Sequence, residues 1–287
     1  MPVRSSIIDS EMNRLPTEMR VQVVASLVEG NSIRATCRMT GVAKNTVVKL
    51  LTELGEACQR YQDEHLRNLP CERVQCDEVW SFCYSKDKNV PEEHKGEFGY
   101  GDVWTWTALC ADTKLVPCWL VGRRTGADAR AFISDLADRL ANRVQLTTDG
   151  YRAYLGAVEE AFGADIDYAI LDKMYGPEPE GQRRYSCADC VGTKRRVVTG
   201  KPNPKDISTS YIERQNLTMR MGMRRFTRLT NAFSKKVENL MHAVSLHFMY
   251  YNFARVHKSI GTTPAKAAGI ADHVWSLHEI VALLDSN

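Results

Sequence analysis

The sequence predicts an α/β fold: a mixed five-stranded sheet with flanking helices, preceded by an all-α segment. Three observations carry this. Residues 17–57 show apolar spacing of helical period broken by a Gly turn. Residues 73–121 hold three apolar, β-branched and aromatic runs separated by polar turns. A helical stretch and a further short apolar run, 144–148, then follow.

Glu18 to Glu29 places Met19, Val23, Val24 and Leu27 on one stripe. Gly30-Asn31-Ser32 ends that helix and caps the next, Ile33 to Met39. Thr40-Gly41-Val42 makes a tight turn, and Ala43 to Leu54 forms a third helix with Val47, Val48, Leu50 and Leu51 as its apolar surface. Helix, Gly-containing turn, helix is the helix-turn-helix arrangement, whose second member enters the DNA major groove. Lys44, Asn45, Thr46 and Lys49 then face DNA. A small three-helix bundle of another kind gives the same pattern.

Glu56 to Asn68 reads as a polar, helix-compatible connector ending at Leu69-Pro70. Arg73 to Tyr84 is strand-like although Asp77 and Glu78 interrupt it, and Asp87 to Gly101 is a hairpin or longer loop. Asp102 to Cys110 and Leu115 to Val121 are strands, Gly126 to Asn142 is a helix, and Val144 to Thr148 is a strand running into Asp149-Gly150. Three meandering strands, a helix, then a strand parallel to the first is the order of a ribonuclease-H-like core. In that order the ends of the first and fourth strands are neighbours, so Asp77 and Asp149 meet. Tyr168 to Leu171 is the fifth strand. Residues 172–207, rich in Gly, Pro, Lys and Arg, read as a basic insertion without regular structure, as long loops usually do. Helices follow over the segment bearing Glu213, over Lys236 to Phe253, and in a short amphipathic tail. The predicted domains are 1–58, a linker 59–70, 71–264, and a tail 265–287.

Hydrophobic residues at 44% and charged residues at 25% exclude global disorder. No apolar run approaches the ~20 residues of a membrane helix, and the first residues form no apolar signal segment, so a soluble cytoplasmic protein with no membrane association is expected. Nine scattered cysteines do not make a disulfide frame. Cys187 and Cys190 form one tight pair; reduced thiols in a loop are expected there, a structural zinc site being the alternative. The net charge of +3 hides local basic tracts: Arg34, Arg38, Lys44 and Lys49; Lys194, Arg195, Arg196, Lys201 and Lys205; Arg214, Arg220, Arg224, Arg225, Arg228, Lys235 and Lys236. Such tracts attract a polyanion.

Asp77 and Asp149 at strand ends and Glu213 on a helix are three carboxylates on rigid elements. Gathered together, they can hold two Mg²⁺ (or Mn²⁺) ions about 3.5–4 Å apart, the requirement of two-metal phosphoryl transfer. Asp77 bridges both ions in this reading, and Asp149 and Glu213 each complete one coordination sphere. Basic residues following Glu213 hold the phosphate backbone near them.

The segments Asp77-Glu78-Val79-Trp80-Ser81-Phe82, Thr148-Asp149-Gly150-Tyr151 and Tyr211-Ile212-Glu213-Arg214-Gln215-Asn216-Leu217 resemble those of bacterial insertion-sequence transposases of the Asp-Asp-Glu type, nearest to the insertion sequence 1 family. Arg220, Arg224, Ser234-Lys235-Lys236-Val237-Glu238 and Tyr251 to Ser259 are similar as well. The resemblance implies a ribonuclease-H fold, Mg²⁺ dependence, recognition of double-stranded inverted-repeat DNA ends and target DNA, and homo-oligomeric assembly on them. It assigns catalysis and metal binding to Asp77, Asp149 and Glu213. Arg214, Asn216, Arg220, Arg224, Arg225 and Lys235 are candidates for DNA contact.

Residue by residue, alternatives stay open. Glu78 or Asp102 can replace Asp77 as the ligand, and Glu213 can pair with Arg220 along its helix. Trp80, Trp104 and Trp106 read as core. His242 and His247 read as core or surface, and His257 as a DNA contact or neither.

Overall fold

The computed structural model describes residues 14–177, 190–227 and 231–285. Cys187 and Arg228 lie outside the described residues. Three helices come first, α1 (Thr17–Val28), α2 (Ile33–Thr40) and α3 (Lys44–His65). Ser32 caps α2 by accepting from the Ala35 N–H at 3.2 Å. Gly41 ends it at φ +72°, a left-handed conformation that suits glycine.

Helix α3 does not stop near Leu54. It continues to His65 through the stretch expected as a linker, because that stretch is only half polar: Cys58, Gln62 and Leu66 are buried. Gln62 donates from Nε2 to the Cys58 and Ser245 carbonyls. Arg139 donates to Asp63 Oδ1 at 2.6 Å and to the Leu66 carbonyl at 3.3 Å. The N-terminal helices therefore share a core with the rest of the chain: Val24, Val28, Leu51, Leu54 and Cys58 belong to the same buried cluster as Val74, Cys76, Trp106 and Phe132.

The sheet comprises β1 (Arg73–Cys83), β2 (Gly101–Cys110), β3 (Trp119–Gly122), β4 (Gln145–Thr148), β5 (Asp167–Tyr175) and β6 (Cys190–Thr199), in the order β3-β2-β1-β4-β5-β6. β1 pairs antiparallel with β2 and parallel with β4; β4 and β5 are parallel. The sheet thus has six strands where five were expected. The extra strand, β6, lies in the segment read as an unstructured insertion, and pairs antiparallel with β5. Its Val191, Thr193, Val197, Val198 and Thr199 favour extended backbone, a signal masked by the interspersed Lys and Arg. All but two of its residues are exposed.

Helices α4 (Gly126–Arg139) and α5 (Ala153–Phe162) cover one face of the sheet. α5 has no counterpart among the predicted elements; it is a short crossover with Tyr154, Ala157 and Val158 buried. Helices α6 (Ser210–Gly222) and α7 (Val237–Met249) cover the other face, packing Ile212, Met219, Leu240, Val244 and Phe248 on Val79, Val103 and Leu109. Burying each such side chain contributes roughly 1.5–3 kcal/mol. α7 runs on as a π turn, Tyr250–Ala254, and two short helices, α8 (Pro264–Ala267) and α9 (Leu277–Ala282), complete the described chain. α7 also lies against α3 so closely that a Cβ on Gly55 would stand 2.4 Å from His242 Cβ. Among the described residues no helix is long and apolar enough to cross a membrane.

Candidate metal centre

Pairing of β1 with β4 ends at Cys76↔Thr148. The next residues are Asp77 on one strand and Asp149 on the other, so the two acids emerge side by side where β4 stops. β1 continues, and its side chains alternate between faces. Asp77 points toward α6, and Glu78 toward α5. Because β4 has ended, Asp149 is open to both. One carboxylate oxygen from each of Asp77, Glu78 and Asp149 can be chosen so that all lie within 4.8 Å of one another.

Local bonds hold the two aspartates. Asp77 Oδ1 accepts from the Glu78 N–H at 2.8 Å, and Oδ2 accepts from Asn216 Nδ2 at 2.8 Å. Asp149 Oδ1 accepts from the Tyr151 N–H at 2.9 Å, closing the tight turn after β4. A Cβ at Gly150 in that turn would lie 2.2 Å from Asp172 Oδ1, so a larger residue there displaces the Asp172 side chain. Neither oxygen of Glu78 accepts a hydrogen bond of good geometry, although its side chain is only 1% exposed. Among the described residues its cationic partner is Arg124, whose guanidinium lies 3.2 Å from Glu78 and 3.9 Å from Asp149.

The crowding shows in the acidities. Burial, then the Asp149 charge and more weakly the Glu213 charge, push Asp77 up to about 7; the Glu78 N–H and Arg124 oppose this. Burial, then the charges of Asp149 and Asp77, push Glu78 up to about 7 as well, against the pull of the Tyr154 hydroxyl and Arg124. Two carboxyls poised near neutrality beside a third form a site whose anionic form is short of positive charge. All-carboxylate oxygen donors suit a hard divalent cation such as Mg²⁺ or Mn²⁺. The unsatisfied, buried Glu78 carboxylate fits that role directly.

Glu213, expected as the third ligand, is outside this set. Its Oε1 is taken by Lys173 Nζ of β5 and by the Thr209 hydroxyl. It is nevertheless close enough for Asp77 to feel its charge. Its helix is also fastened to β1 at two points. Gln75 Oε1 accepts from the backbone N–H groups of Tyr211 and Ile212, both at 3.0 Å, and Asn216 bonds to Asp77. The structure therefore brings Asp77, Asp149 and the helix of Glu213 together, and adds Glu78, which the sequence left as an alternative. Asp102, the other alternative, is exposed and opposite Phe82 in the β1–β2 register.

The residues expected at DNA fall into groups. Lys44, Asn45 and Lys49 are exposed at the start of α3, with Thr46 half-buried and Lys49 3.7 Å from Glu53. Arg214, Arg224 and Lys235 are exposed, and Arg220 is half-buried. Arg225 is half-buried and donates to the Ser234 hydroxyl. Asn216 is buried, its amide spent on Asp77, so it acts on the acidic cluster and not on solvent. Trp106 is core, as read, but Trp80 and Trp104 are half-buried, Trp104 beneath Arg124. His247 is buried, and burial lowers it to about 3; His257 packs its ring on Tyr251. Gln75 and Arg124 are the residues that reading the sequence did not single out. A strand glutamine and an arginine of a short turn carry no periodic or motif signal.

No protein-family model matches the chain, and no curated protein matches it. Among solved structures, a piggyBac transposase synaptic complex with hairpin DNA, determined by cryo-electron microscopy, is similar with a TM-score of 0.40 and 11% sequence identity, over 96% of this chain and 74% of that one.

Proposed function

We propose that this chain is a DNA transposase of the Asp-Asp-Glu type, with a ribonuclease-H-like catalytic core and a helix-turn-helix at its N-terminus. It cleaves DNA at the ends of an insertion element and joins them to target DNA. The observation that carries the reading is the meeting of Asp77, Glu78 and Asp149 at the end of β4, beside the helix bearing Glu213.

Asp77 and Asp149 would hold the cations, with Glu78 as the buried third donor and Glu213 at the α6 side. Paired Mg²⁺ ions, when bound, activate the attacking oxygen and stabilise the leaving oxygen of a phosphodiester. The chain's own contribution is placement. The interior of β1, the end of β4 and a bolted helix keep the carboxylates fixed, and the Asp77 and Glu78 protons, held near neutral pH, would leave when a cation took their place. Arg214, Arg224 and Lys235, exposed around the α6 end of the molecule, supply charge for the DNA backbone. Lys44, Asn45 and Lys49 at the start of α3 would reach base edges in the major groove. Assembly as a homo-oligomer on paired DNA ends, and kinship with the insertion sequence 1 family, belong to the same reading.

The test is incubation of the full chain with Mg²⁺ and labelled duplexes carrying the terminal sequences of its own element, resolved on a denaturing gel. Strand-transfer products support the proposal. Hydrolysis without joining makes the chain a nuclease, and DNA binding without any cleavage makes it a regulator.

A further inference from the structure

Arg124 stands in the tight turn between β3 and α4, immediately before Thr125, which caps α4 by accepting from the Asp128 N–H at 3.3 Å. The backbone here is unusually well anchored. Trp106 Nε1 donates to the Arg123 carbonyl at 3.0 Å, and the Tyr151 hydroxyl donates to the Arg124 carbonyl at 2.9 Å. The guanidinium is held between two aromatic faces, 4.8 Å from the centroid of Trp104 and 4.3 Å from that of Tyr151. From that seat it reaches Glu78 and Asp149 together, while 36% of its side chain remains open to solvent.

We propose that Arg124 serves as a stand-in cation for the carboxylate cluster and, once divalent ions occupy the cluster, as the residue that grips the scissile phosphate. This deepens the transposase reading and rests on it. The argument is one of charge and shape. Asp149 and the buried Glu78 have no cationic partner but Arg124 among the described contacts. A divalent ion taken up by the same oxygens would face the guanidinium at close range, and like charges there repel. Arg124 must then turn toward an anion in the open part of the site. The planar fork of a guanidinium matches two phosphate oxygens, and a side chain clamped on aromatic faces loses little freedom in making that contact. A lysine or a purely structural ion pair needs no such clamp.

Two consequences are measurable. Without DNA, Arg124 competes with metal. With DNA, phosphate draws Arg124 off the carboxylates, so DNA and metal strengthen each other's binding by the same factor.

The experiment uses the full-length chain, Mn²⁺ followed by calorimetry, and a fluorescein-labelled linear duplex of arbitrary sequence followed by anisotropy. Arg124→Gln is expected to bind Mn²⁺ roughly tenfold more tightly than the wild type in the absence of DNA, as expected for removal of a cation within ~4–6 Å of two ligands. It is also expected to lose most of the enhancement of DNA affinity that Mn²⁺ gives the wild type. Arg124→Lys, which keeps the charge but not the fork, should fall between the two. Mn²⁺ affinity in Arg124→Gln equal to or below that of the wild type overturns the proposal. So does an undiminished Mn²⁺–DNA coupling. Should Arg124→Gln not fold, Arg124→Met, which also removes the charge, is read in its place by the same two measurements. A wild-type chain that takes up no Mn²⁺ at all sinks the metal reading itself, a result distinct from a failed ordering of the variants.

Discussion

Asn216 donates its side-chain amide to Asp77 at 2.8 Å, tying the helix of Glu213 to the strand that carries the first acid. Gln75, two residues before Asp77, receives the Tyr211 and Ile212 N–H groups in the first turn of the same helix. The acid-bearing strand and the acid-bearing helix are therefore registered to each other by two amide side chains. Asn216→Ala and Gln75→Ala should each lower turnover by roughly 10–100-fold, since small misplacements of reacting groups cost that much. DNA affinity, which depends on exposed cations, should change far less. Single-turnover cleavage and anisotropy on the same preparations check both halves.

Asp149→Asn removes a charge at the position open to both Asp77 and Glu78. Cleavage and strand transfer should both disappear, with DNA affinity within about twofold of wild type, because phosphate contacts elsewhere supply the binding. Loss of DNA binding together with activity would make Asp149 structural.

The pH dependence of stability follows from the raised acidities of Asp77 and Glu78, both near 7 in the folded chain. Their unfolded values lie near 4, so between those limits the folded state holds more protons than the unfolded one. Stability from these groups is fully present below pH 4 and is lost as pH rises through 7. Glu78→Gln, which cannot ionise, should therefore raise the melting temperature at pH 8 by a few degrees and change it little at pH 5. Added Mn²⁺ should stabilise the wild type more at pH 8 than at pH 5, since protons compete for the same oxygens. Thermal melts at the two pH values measure both effects.

Gly55→Ala tests the contact between α3 and α7. A gain in helix propensity of about 1 kcal/mol favours alanine. Against it, the new Cβ would lie 2.4 Å from His242 Cβ and 2.6 Å from its Cα, with no flexible atom to yield. Overpacking of this kind costs about 1–3 kcal/mol or more, so the net effect should be destabilisation, read by denaturant midpoint.

How much of this was legible in the sequence depends on which interactions are local. The alternation of three apolar runs, a helix and a fourth run was enough to place Asp77 beside Asp149, because parallel pairing of the first and fourth strands follows from the order of elements. Glu78 was harder. Consecutive strand residues face opposite sides, and only the register, in which β4 stops opposite Cys76, leaves room for both to reach Asp149. β6 was hidden because its cations carry a loop-like composition, whereas its β-branched residues and its pairing with β5 make it a strand. Helix α3 ran past its expected end because Cys58, Gln62 and Leu66 find partners on α7, α4 and the sheet that no local pattern announces. Arg124 depends on Trp104, Tyr151, Glu78 and Asp149, four residues brought together only by the completed fold.

The most direct measurement is anomalous diffraction from crystals of the full chain grown with Mn²⁺. The account predicts a peak coordinated by Asp77, Glu78 and Asp149, absent from crystals of Asp149→Asn. A wild-type map with no density among these carboxylates, or with manganese bound only elsewhere, would contradict it.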